Sequence, residues 1–357
     1  MFIPIENLRI ASLKPLMPPN LLLTEIPLTP SAAQVVATAR LSAEQIIKKT
    51  NDRLLVIIGP CSIHDPSAAF EYGMRLQHQI SKHQNELCII MRVYFEKPRT
   101  TAGWKGLIND PNLNDTFNVS HGLRLARKLL VDLIENKVPA ATEFLDTIIP
   151  QFISDLISWG AIGARTTESQ IHRELASGLS MPVGFKNGTQ GNIQIAIDAL
   201  RSAAFPHHFL GVTNAGHAAV VSTVGNNASH IILRGSQTET NYDEKSIGDA
   251  LTQLEKYEVN NAIMVDCSHG NSLKDYRRQS LVVKDICKQI SAGQTKIIGA
   301  MIESFLVAGN QNLSSSKTLV YGQSITDACI GWDETEEILN DLATAVKNRR
   351  NFMPCVK

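Results

Sequence analysis

Short runs of apolar and β-branched residues recur along the chain, and amphipathic segments of helical length separate most of them. Eight of these runs predict strands, at residues 54–58, 89–94, 140–144, 161–165, 183–186, 230–233, 262–265 and 296–301. Helical periodicity of the apolar positions predicts helices over 67–84, 120–136, 150–159, 169–179, 192–204, 245–257 and 275–291. Eight strands that alternate with helices favour an α/β fold, with a closed (β/α)8 TIM barrel preferred to a doubly wound sheet.

Two segments interrupt this alternation. At about residues 207–224, two β-rich runs flank the turn sequence Asn214-Ala-Gly, which predicts a β-hairpin inserted before the sixth barrel strand. Residues 1–50 lie outside the strand–helix pattern, so we expect an N-terminal extension. We expect residues 51–350 to form the barrel.

Composition and charge exclude several classes of protein. The 34 Lys and Arg residues balance 34 Asp and Glu residues, which argues against a nucleic-acid-binding protein with a basic surface. No apolar run approaches the roughly 20 residues that a membrane-spanning helix needs, and the N-terminus does not resemble a signal peptide. The six cysteines form no short metal-finger pairs. These features predict a soluble cytoplasmic protein with reduced thiols.

Cationic side chains lie within, at the end of or just after four of the first six predicted strands, namely the second, fourth, fifth and sixth. In a TIM barrel the carboxyl ends of the strands form the active face, so these charges would meet at one rim. Each cation alone is more simply explained as a solvated surface charge. Together, in a chain with no net charge, they predict a ligand with several negative charges and more than one phosphate. The six residues are Arg92, Lys97, Arg99, Arg165, Lys186 and Arg234.

Metal-binding side chains lie at strand ends or beyond the last strand. A thiol, an imidazole and two carboxylates are a plausible ligand set for one divalent metal, supplied by Cys61, His269, Glu303 and Asp327. A buried inert cysteine and a structural histidine are the simpler alternatives for two of them. The mixed sulfur, nitrogen and oxygen set is compatible with Mn²⁺, our first choice, and with Fe²⁺, Co²⁺ or Zn²⁺.

Six motifs in order resemble 3-deoxy-D-arabino-heptulosonate-7-phosphate (DAHP) synthase of type I, in its feedback-regulated microbial class. The resemblance covers nearly the whole chain. It implies a catalytic TIM barrel that uses one divalent metal, assembles as a homodimer or homotetramer, and performs the first step of the shikimate pathway. It also implies that the extension of residues 1–50 serves the oligomer or regulation. In that step phosphoenolpyruvate, D-erythrose 4-phosphate and water give DAHP and phosphate. The motifs are Gly59-Pro-Cys-Ser-Ile-His-Asp-Pro, Met91-Arg-Val-Tyr-Phe-Glu-Lys-Pro-Arg-Thr-Thr, Gly103-Trp-Lys-Gly-Leu-Ile-Asn-Asp-Pro, Ile162-Gly-Ala-Arg-Thr-Thr-Glu-Ser-Gln, Pro182-Val-Gly-Phe-Lys-Asn-Gly and Ile231-Ile-Leu-Arg-Gly.

The resemblance also implies roles for the candidate site residues. Arg99 and Thr100 would bind the phosphate of erythrose 4-phosphate. The metal ligands would be the four residues named above, of which Cys61, His269 and Asp327 also count as catalytic. Phosphoenolpyruvate would be bound by Arg92, Lys97, Arg165, Lys186 and Arg234, with backbone contacts near Gly163 and Ala164.

The reaction also needs proton transfer. Our hypothesis is that Lys97 protonates the new alkoxide, with its pKa lowered by crowding from Arg92 and Arg99. Glu143 or a metal-bound water would orient or deprotonate the attacking water.

Two alternative functions stay open. One is an enzyme like 3-deoxy-D-manno-octulosonate 8-phosphate synthase that uses arabinose 5-phosphate. The other is a non-catalytic barrel that senses phosphorylated metabolites.

An effector site is implied by the resemblance alone. Ordinary packing under the hairpin is the simpler explanation of these residues, but the family binds an aromatic amino acid there. Phenylalanine-regulated relatives tend to carry Ser where this chain has Gly211, and Asp where it has Asn7, so we expect tyrosine to inhibit more strongly than phenylalanine. The implied residues are Pro150, Gln151, Leu175, Leu179, Ser180, Phe209, Gly211 and Val221, with Asn7 from the extension of another subunit.

Overall fold

A computed structural model describes residues 5–99, 103–313 and 318–352. Its strands are β1 Leu54–Gly59, β2 Leu87–Arg92, β3 Ala140–Glu143, β4 Ile157–Ile162, β5 Val183–Lys186, β6 His208–Val212, β7 Ala218–Ser222, β8 Ser229–Leu233, β9 Ile263–Asp266, β10 Ile297–Glu303, β11 Val307–Asn310 and β12 Gln323–Ser324. Its helices are α1 Pro19–Glu25, α2 Pro30–Ile47, α3 Pro66–Lys82, α4 Val119–Glu135, α5 Pro150–Ile153, α6 Gln170–Gly178, α7 Gln194–Ala203, α8 Glu244–Lys256, α9 Gln279–Ser291 and α10 Trp332–Phe352.

Eight parallel strands close into a barrel in the order β1-β10-β9-β8-β5-β4-β3-β2. The first strand pairs with the second through Ile58 and Met91 and with the last through Ile57 and Met301, which completes the ring. Every residue of the eight strands is buried. Strands buried on both faces appear in sequence as continuous apolar runs, which is why the runs identified them. The predicted (β/α)8 barrel is confirmed.

Helix α2 packs against the barrel within the segment assigned to the extension. It begins where the Thr29 hydroxyl accepts a hydrogen bond from the Ala32 N–H at 3.2 Å, with Pro30 in the first turn. Its last turns place Ala43, Ile46 and Ile47 in the same apolar cluster as the inward-facing residues of β1. The helix therefore closes the amino-terminal end of the barrel. The division at residue 50 and its regulatory role stay predictions.

The fourth barrel strand differs from the prediction, which placed a helix over 150–159 and a strand over 161–165. The helix ends at Ile153 and a 3-10 turn follows over Ser154–Leu156, so β4 begins at Ile157 without a loop. The strand stops at Ile162 because a turn starts at Gly163, whose carbonyl accepts hydrogen bonds from the N–H groups of Thr166 and Thr167. The α-helix therefore ends six residues before the predicted limit, and the 3-10 turn ends three residues before it.

The hairpin lies where it was predicted, between α7 and β8. Its strands β6 and β7 pair antiparallel, with Phe209 opposite Val221 and Gly211 opposite Ala219. Helices α1, α2 and α10 and the short β11–β12 pair were not predicted. Within the described ranges, no helix has the length and apolar character needed to cross a membrane.

Candidate active site

A cavity of about 540 Å³ opens at the carboxyl ends of the barrel strands. Its walls come from loops that follow separate strands, as the topology of a TIM barrel requires. Of the predicted catalytic, substrate and metal residues, Thr100 lies outside the described residues. The others all line this cavity: Cys61, Arg92, Lys97, Arg99, Glu143, Gly163, Ala164, Arg165, Lys186, Arg234, His269, Glu303 and Asp327.

The six cations differ in how they are held. Arg92 is fully buried, stacks its guanidinium 3.9 Å from the centre of the Tyr94 ring, and donates to the Pro60 and Cys61 carbonyls at 3.2 and 3.3 Å. Among the described residues, its Nη1 and the Nε of Arg234 are buried without a hydrogen-bond partner. Because unpaired buried donors are unfavourable, both atoms are suited to an anionic ligand.

Burial and a neighbouring cation both disfavour the charge of Arg234. Burial lowers the pKa of its guanidinium, and the nearby Arg165 lowers it further, although Asp266 opposes both effects. An anion bound between the two guanidinium groups would relieve this repulsion. The cavity therefore favours ligands with phosphate or carboxylate groups.

Three of the four predicted metal ligands are already clustered. The Cys61 sulfur and carboxylate oxygens of Glu303 and Asp327 all lie within 4.8 Å of one another. The fourth, His269, places its Nε2 3.8 Å from a Glu303 oxygen. Asp327 reaches the cluster because the chain after β10 forms the β11–β12 pair and returns to the barrel mouth. Thiol, imidazole and carboxylate donors at these distances fit one divalent transition metal.

Lys97 lies against this cluster, and its electrostatics differ from the expectation. Its Nζ donates to the Cys61 sulfur at 2.9 Å and to Asp327 at 2.7 Å. Burial disfavours the ammonium, but Cys61, Asp327 and Glu303 outweigh burial and raise the pKa of Lys97. The predicted lowering by Arg92 and Arg99 is therefore wrong, because the Asp327 carboxylate bonds Nζ directly and Glu303 adds to its effect.

The protein groups around Cys61 favour its thiol over its thiolate. Burial raises its pKa to about 12, and the Glu303 and Asp327 carboxylates also raise it, against the opposing effect of Lys97. A thiolate at this position needs more positive charge beside it, as a bound divalent metal would supply.

The sequence did not single out Asp266, although it is the most highly bonded carboxylate of the site. It is the last residue of β9, is fully buried, and bonds Lys186 and His269. Burial alone would raise its pKa, but His269 and Lys186 hold it well below the usual value. A charged residue at the end of an otherwise apolar strand was the available signal.

Glu143 ends β3 and lines the cavity beside Gly163. A Cβ on Gly163 would collide with the Glu143 carboxylate, so a larger residue there would displace this carboxylate from its present position. Glu96, which the sequence analysis also left unassigned, is buried next to Lys97 and accepts the Asp146 N–H at 3.2 Å. Burial and Asp146 raise its pKa to about 8.

Comparison with known proteins places the chain in a family. Residues 26–340 match the DAHP synthetase I family. The chain is 56% identical over 345 residues to a Phe-sensitive phospho-2-dehydro-3-deoxyheptonate aldolase of Escherichia coli, covering 97% of this chain and 98% of that protein. The chain belongs to the DAHP synthetase I family. The predicted family is confirmed, and so is the prediction that the protein is an enzyme.

Two further comparisons support this family membership. A phospho-2-dehydro-3-deoxyheptonate aldolase of E. coli named Trp-sensitive is 53% identical over 344 residues, covering 96% of this chain and 99% of the relative. A solved structure of the enzyme of that name from Francisella tularensis superposes with a TM-score of 0.94 at 51% identity, covering 96% and 99% of the two chains. The names of these relatives do not identify an effector for this DAHP synthetase I family enzyme.

A second cavity, of about 100 Å³, lies on the flank of this DAHP synthetase I family barrel, between α5, α6 and the hairpin. Asn7 is exposed and does not line it, which is compatible with the prediction that it serves another subunit's site. All the other predicted effector residues line this cavity: Pro150, Gln151, Leu175, Leu179, Ser180, Phe209, Gly211 and Val221.

Proposed function

We propose that the chain condenses phosphoenolpyruvate with D-erythrose 4-phosphate and water to give DAHP and inorganic phosphate, the first step of the shikimate pathway. The observation that carries the proposal is the presence of six cations and four metal-type donors in one cavity. Two phosphates and one carboxylate are the anionic groups that these cations would bind.

Phosphoenolpyruvate would occupy the deeper part of the cavity. Arg92 and Lys186 are buried there, and the free donors of Arg92 and Arg234 are available to its phosphate and carboxylate. Lys97 and Arg165 complete this set. Arg99 is exposed at the mouth, where its Nε donates to the Trp104 carbonyl at 2.8 Å. It would bind the phosphate of the aldose, together with Thr100.

Cys61, His269, Glu303 and Asp327 would hold one divalent metal, with Mn²⁺ our first choice and Fe²⁺, Co²⁺ or Zn²⁺ open. A metal bound there supplies a Lewis acid for the aldehyde oxygen. The side chains of this set fit it because three of the donor groups already lie within 4.8 Å of one another.

Lys97 and Glu143 would handle the protons. Carbon 3 of phosphoenolpyruvate attacks the aldehyde carbon, water adds at carbon 2, and phosphate leaves. The Asp327 carboxylate favours the charged form of Lys97, whose Nζ would give a proton to the new alkoxide. Glu143 lines the same cavity and would orient or deprotonate the attacking water.

A comparison of two aldoses tests the substrate. We expect kcat/KM with erythrose 4-phosphate to exceed that with arabinose 5-phosphate, because the run Lys97-Pro-Arg-Thr-Thr and the N-terminal extension match the enzymes that use the four-carbon sugar. Steady-state assays with each aldose and phosphoenolpyruvate measure this ratio. A higher kcat/KM with arabinose 5-phosphate would support the octulosonate 8-phosphate synthase alternative instead.

The flank cavity would bind the feedback inhibitor, an aromatic amino acid, with tyrosine preferred. A Cβ at Gly211 would lie 2.7 Å from a Val221 methyl, so a larger residue there must displace part of the cavity wall. The bare glycine leaves room that the phenolic oxygen of tyrosine could use. One such difference in a pocket is worth about 1–3 kcal/mol, so the preference is graded.

Gly211→Ser is expected to shift inhibition from tyrosine toward phenylalanine by about tenfold or more in the ratio of inhibition constants. The uninhibited rate should change little, because the cavity is separate from the catalytic one. Gly248→Ser is the matched control, since a Cβ at Gly248 meets no atom within 4 Å. Stronger inhibition of the unmodified enzyme by phenylalanine than by tyrosine would contradict the size argument.

The chain would assemble as a homodimer or homotetramer through its N-terminal extension. Leu8, Ile10 and Leu13 are exposed by 69%, 51% and 80% in the single chain. Apolar side chains exposed along one short segment are typical of a subunit contact.

Deleting residues 1–15 is expected to weaken the oligomer and the feedback inhibition more than the uninhibited rate, because no proposed catalytic residue lies there. Light scattering and inhibition curves on the same preparation measure both effects. Unchanged oligomer size and unchanged inhibition would show that the extension serves neither function.

A further inference from the structure

Asp266 lies beneath the cavity and contacts both halves of the proposed site. Its Oδ2 accepts a hydrogen bond from the Lys186 ammonium at 2.8 Å and lies 2.9 Å from the His269 Nδ1. Its Oδ1 accepts the Ser268 N–H at 3.0 Å and the Ser268 hydroxyl at 2.5 Å. A fully buried carboxylate with four partners has a fixed position, and its partners are fixed with it.

The contacts around His269 define which ring nitrogen carries the proton. Its Nδ1 faces the Asp266 Oδ2 and also lies 2.8 Å from the Ser268 oxygen, whose own hydrogen is donated to Asp266. Two acceptors therefore surround Nδ1, which favours a proton there. The Nε2 lone pair is left free on the side of Glu303.

The backbone at His269 adopts a conformation that is unfavourable for a residue with a side chain. His269 has a φ of 55°, in the left-handed region that non-glycine residues rarely adopt. The adjoining turn is fixed by Asn271, whose side chain donates to the carbonyls of Leu233 and Asp266 at 3.1 and 2.9 Å. Strain of this kind persists only where the surroundings determine the conformation, and here it aims the imidazole at the donor cluster.

Lys186 receives its orientation from the same oxygen. Its side chain is only 5% exposed, and its ammonium is bonded to Asp266 while lining the cavity. Without this carboxylate, a buried ammonium would lack a counter-charge and would have no fixed direction.

We propose that Asp266 is a positioning residue that sets the metal-binding histidine and the phosphoenolpyruvate-binding lysine with one carboxylate, and so links metal affinity to substrate affinity. This inference rests on the proposed function for the roles of His269 and Lys186. It assigns Asp266 no contact with substrate or metal. Outer carboxylates that orient a metal-binding histidine typically change metal affinity by about 10–100-fold when they are replaced.

Three variants of the chain separate the effect on metal binding from the effect on phosphoenolpyruvate binding. Asp266→Asn keeps the shape but removes the charge and one acceptor, so it should weaken both Mn²⁺ and phosphoenolpyruvate binding. Ser268→Ala keeps every charge and removes a contact to His269, so it should weaken Mn²⁺ alone. Lys186→Met should weaken phosphoenolpyruvate alone. The measurements are calorimetric titrations of metal-stripped protein, with Mn²⁺ and, separately, with phosphoenolpyruvate in the absence of metal.

We expect the Mn²⁺ Kd to rise about 10–100-fold in Asp266→Asn and by a smaller factor in Ser268→Ala. The absorption spectrum of the Co²⁺ form should change in both. Unchanged Mn²⁺ Kd values in the folded variants would overturn the proposal, and Ser268→Ala alone decides if Asp266→Asn does not fold. If the unmodified protein bound neither Mn²⁺ nor Co²⁺, the metal set itself would be wrong, and the role of Asp266 with it.

Discussion

Lys97→Met is expected to lower kcat by about 10²–10⁴-fold, the range that a positioned proton donor contributes. Methionine keeps the length and apolar stem of lysine but has no proton to give. It also removes one of the cations proposed to bind phosphoenolpyruvate, so this substrate should bind more weakly as well. Steady-state kinetics give kcat and KM separately, and circular dichroism checks the fold.

Lys128→Met is the matched control for this variant. Lys128 is also bonded to an aspartate, Asp132, but the pair lies on the exposed face of α4, away from the cavity. A surface substitution of this kind should leave activity within about threefold of the unmodified enzyme. Near-normal turnover in Lys97→Met would remove Lys97 from the proton transfer.

Cys61→Ala is expected to weaken Mn²⁺ binding by more than the ~10–100-fold that changes outside the ligand shell produce, because it removes a ligand. Cys61→Ser should also bind poorly, since a hydroxyl is a harder donor that rarely ionises. Metal titration of the stripped protein measures both variants, and activity should fall in parallel.

Cys287→Ser is the control for the loss of a thiol as such. Cys287 is half-buried on α9 and does not line the cavity, so metal affinity should be unchanged. Full metal affinity in Cys61→Ala would show that the sulfur is not a ligand. The proposed set would then reduce to His269 and two carboxylates.

The sequence predicted the barrel well because its strands are buried on both faces. A strand such as β1, with all six residues buried, is a continuous apolar run, and its limits agreed with the prediction to within one residue. The limits of β4 could not be found in this way. Helical turns run directly into that strand, and Arg40 of α2 fixes the junction by donating to the Ser154 and Ile157 carbonyls. A contact between residues more than 100 positions apart has no local signal.

The site was predictable as far as topology determines it. The rule that strand ends meet at one face was enough to collect the cations and the metal-type donors from sequence. It could not give the sign of the Lys97 pKa shift, which depends on whether cations or carboxylates lie nearer to Nζ. The charged residue at the end of the apolar strand β9 was a signal for Asp266, but its four hydrogen-bond contacts could not be predicted, because they are a property of the folded loop. Both features depend on where the side chains lie in the folded protein.

Product formation by metal-stripped full-length protein tests the central claim most directly. The assay measures DAHP and inorganic phosphate from phosphoenolpyruvate and erythrose 4-phosphate, before and after Mn²⁺ is added. We predict no product before the addition, and afterwards one phosphate for each DAHP, with both substrates required. Equal turnover in the stripped protein, or phosphate release without the aldose, would contradict the proposed site and reaction.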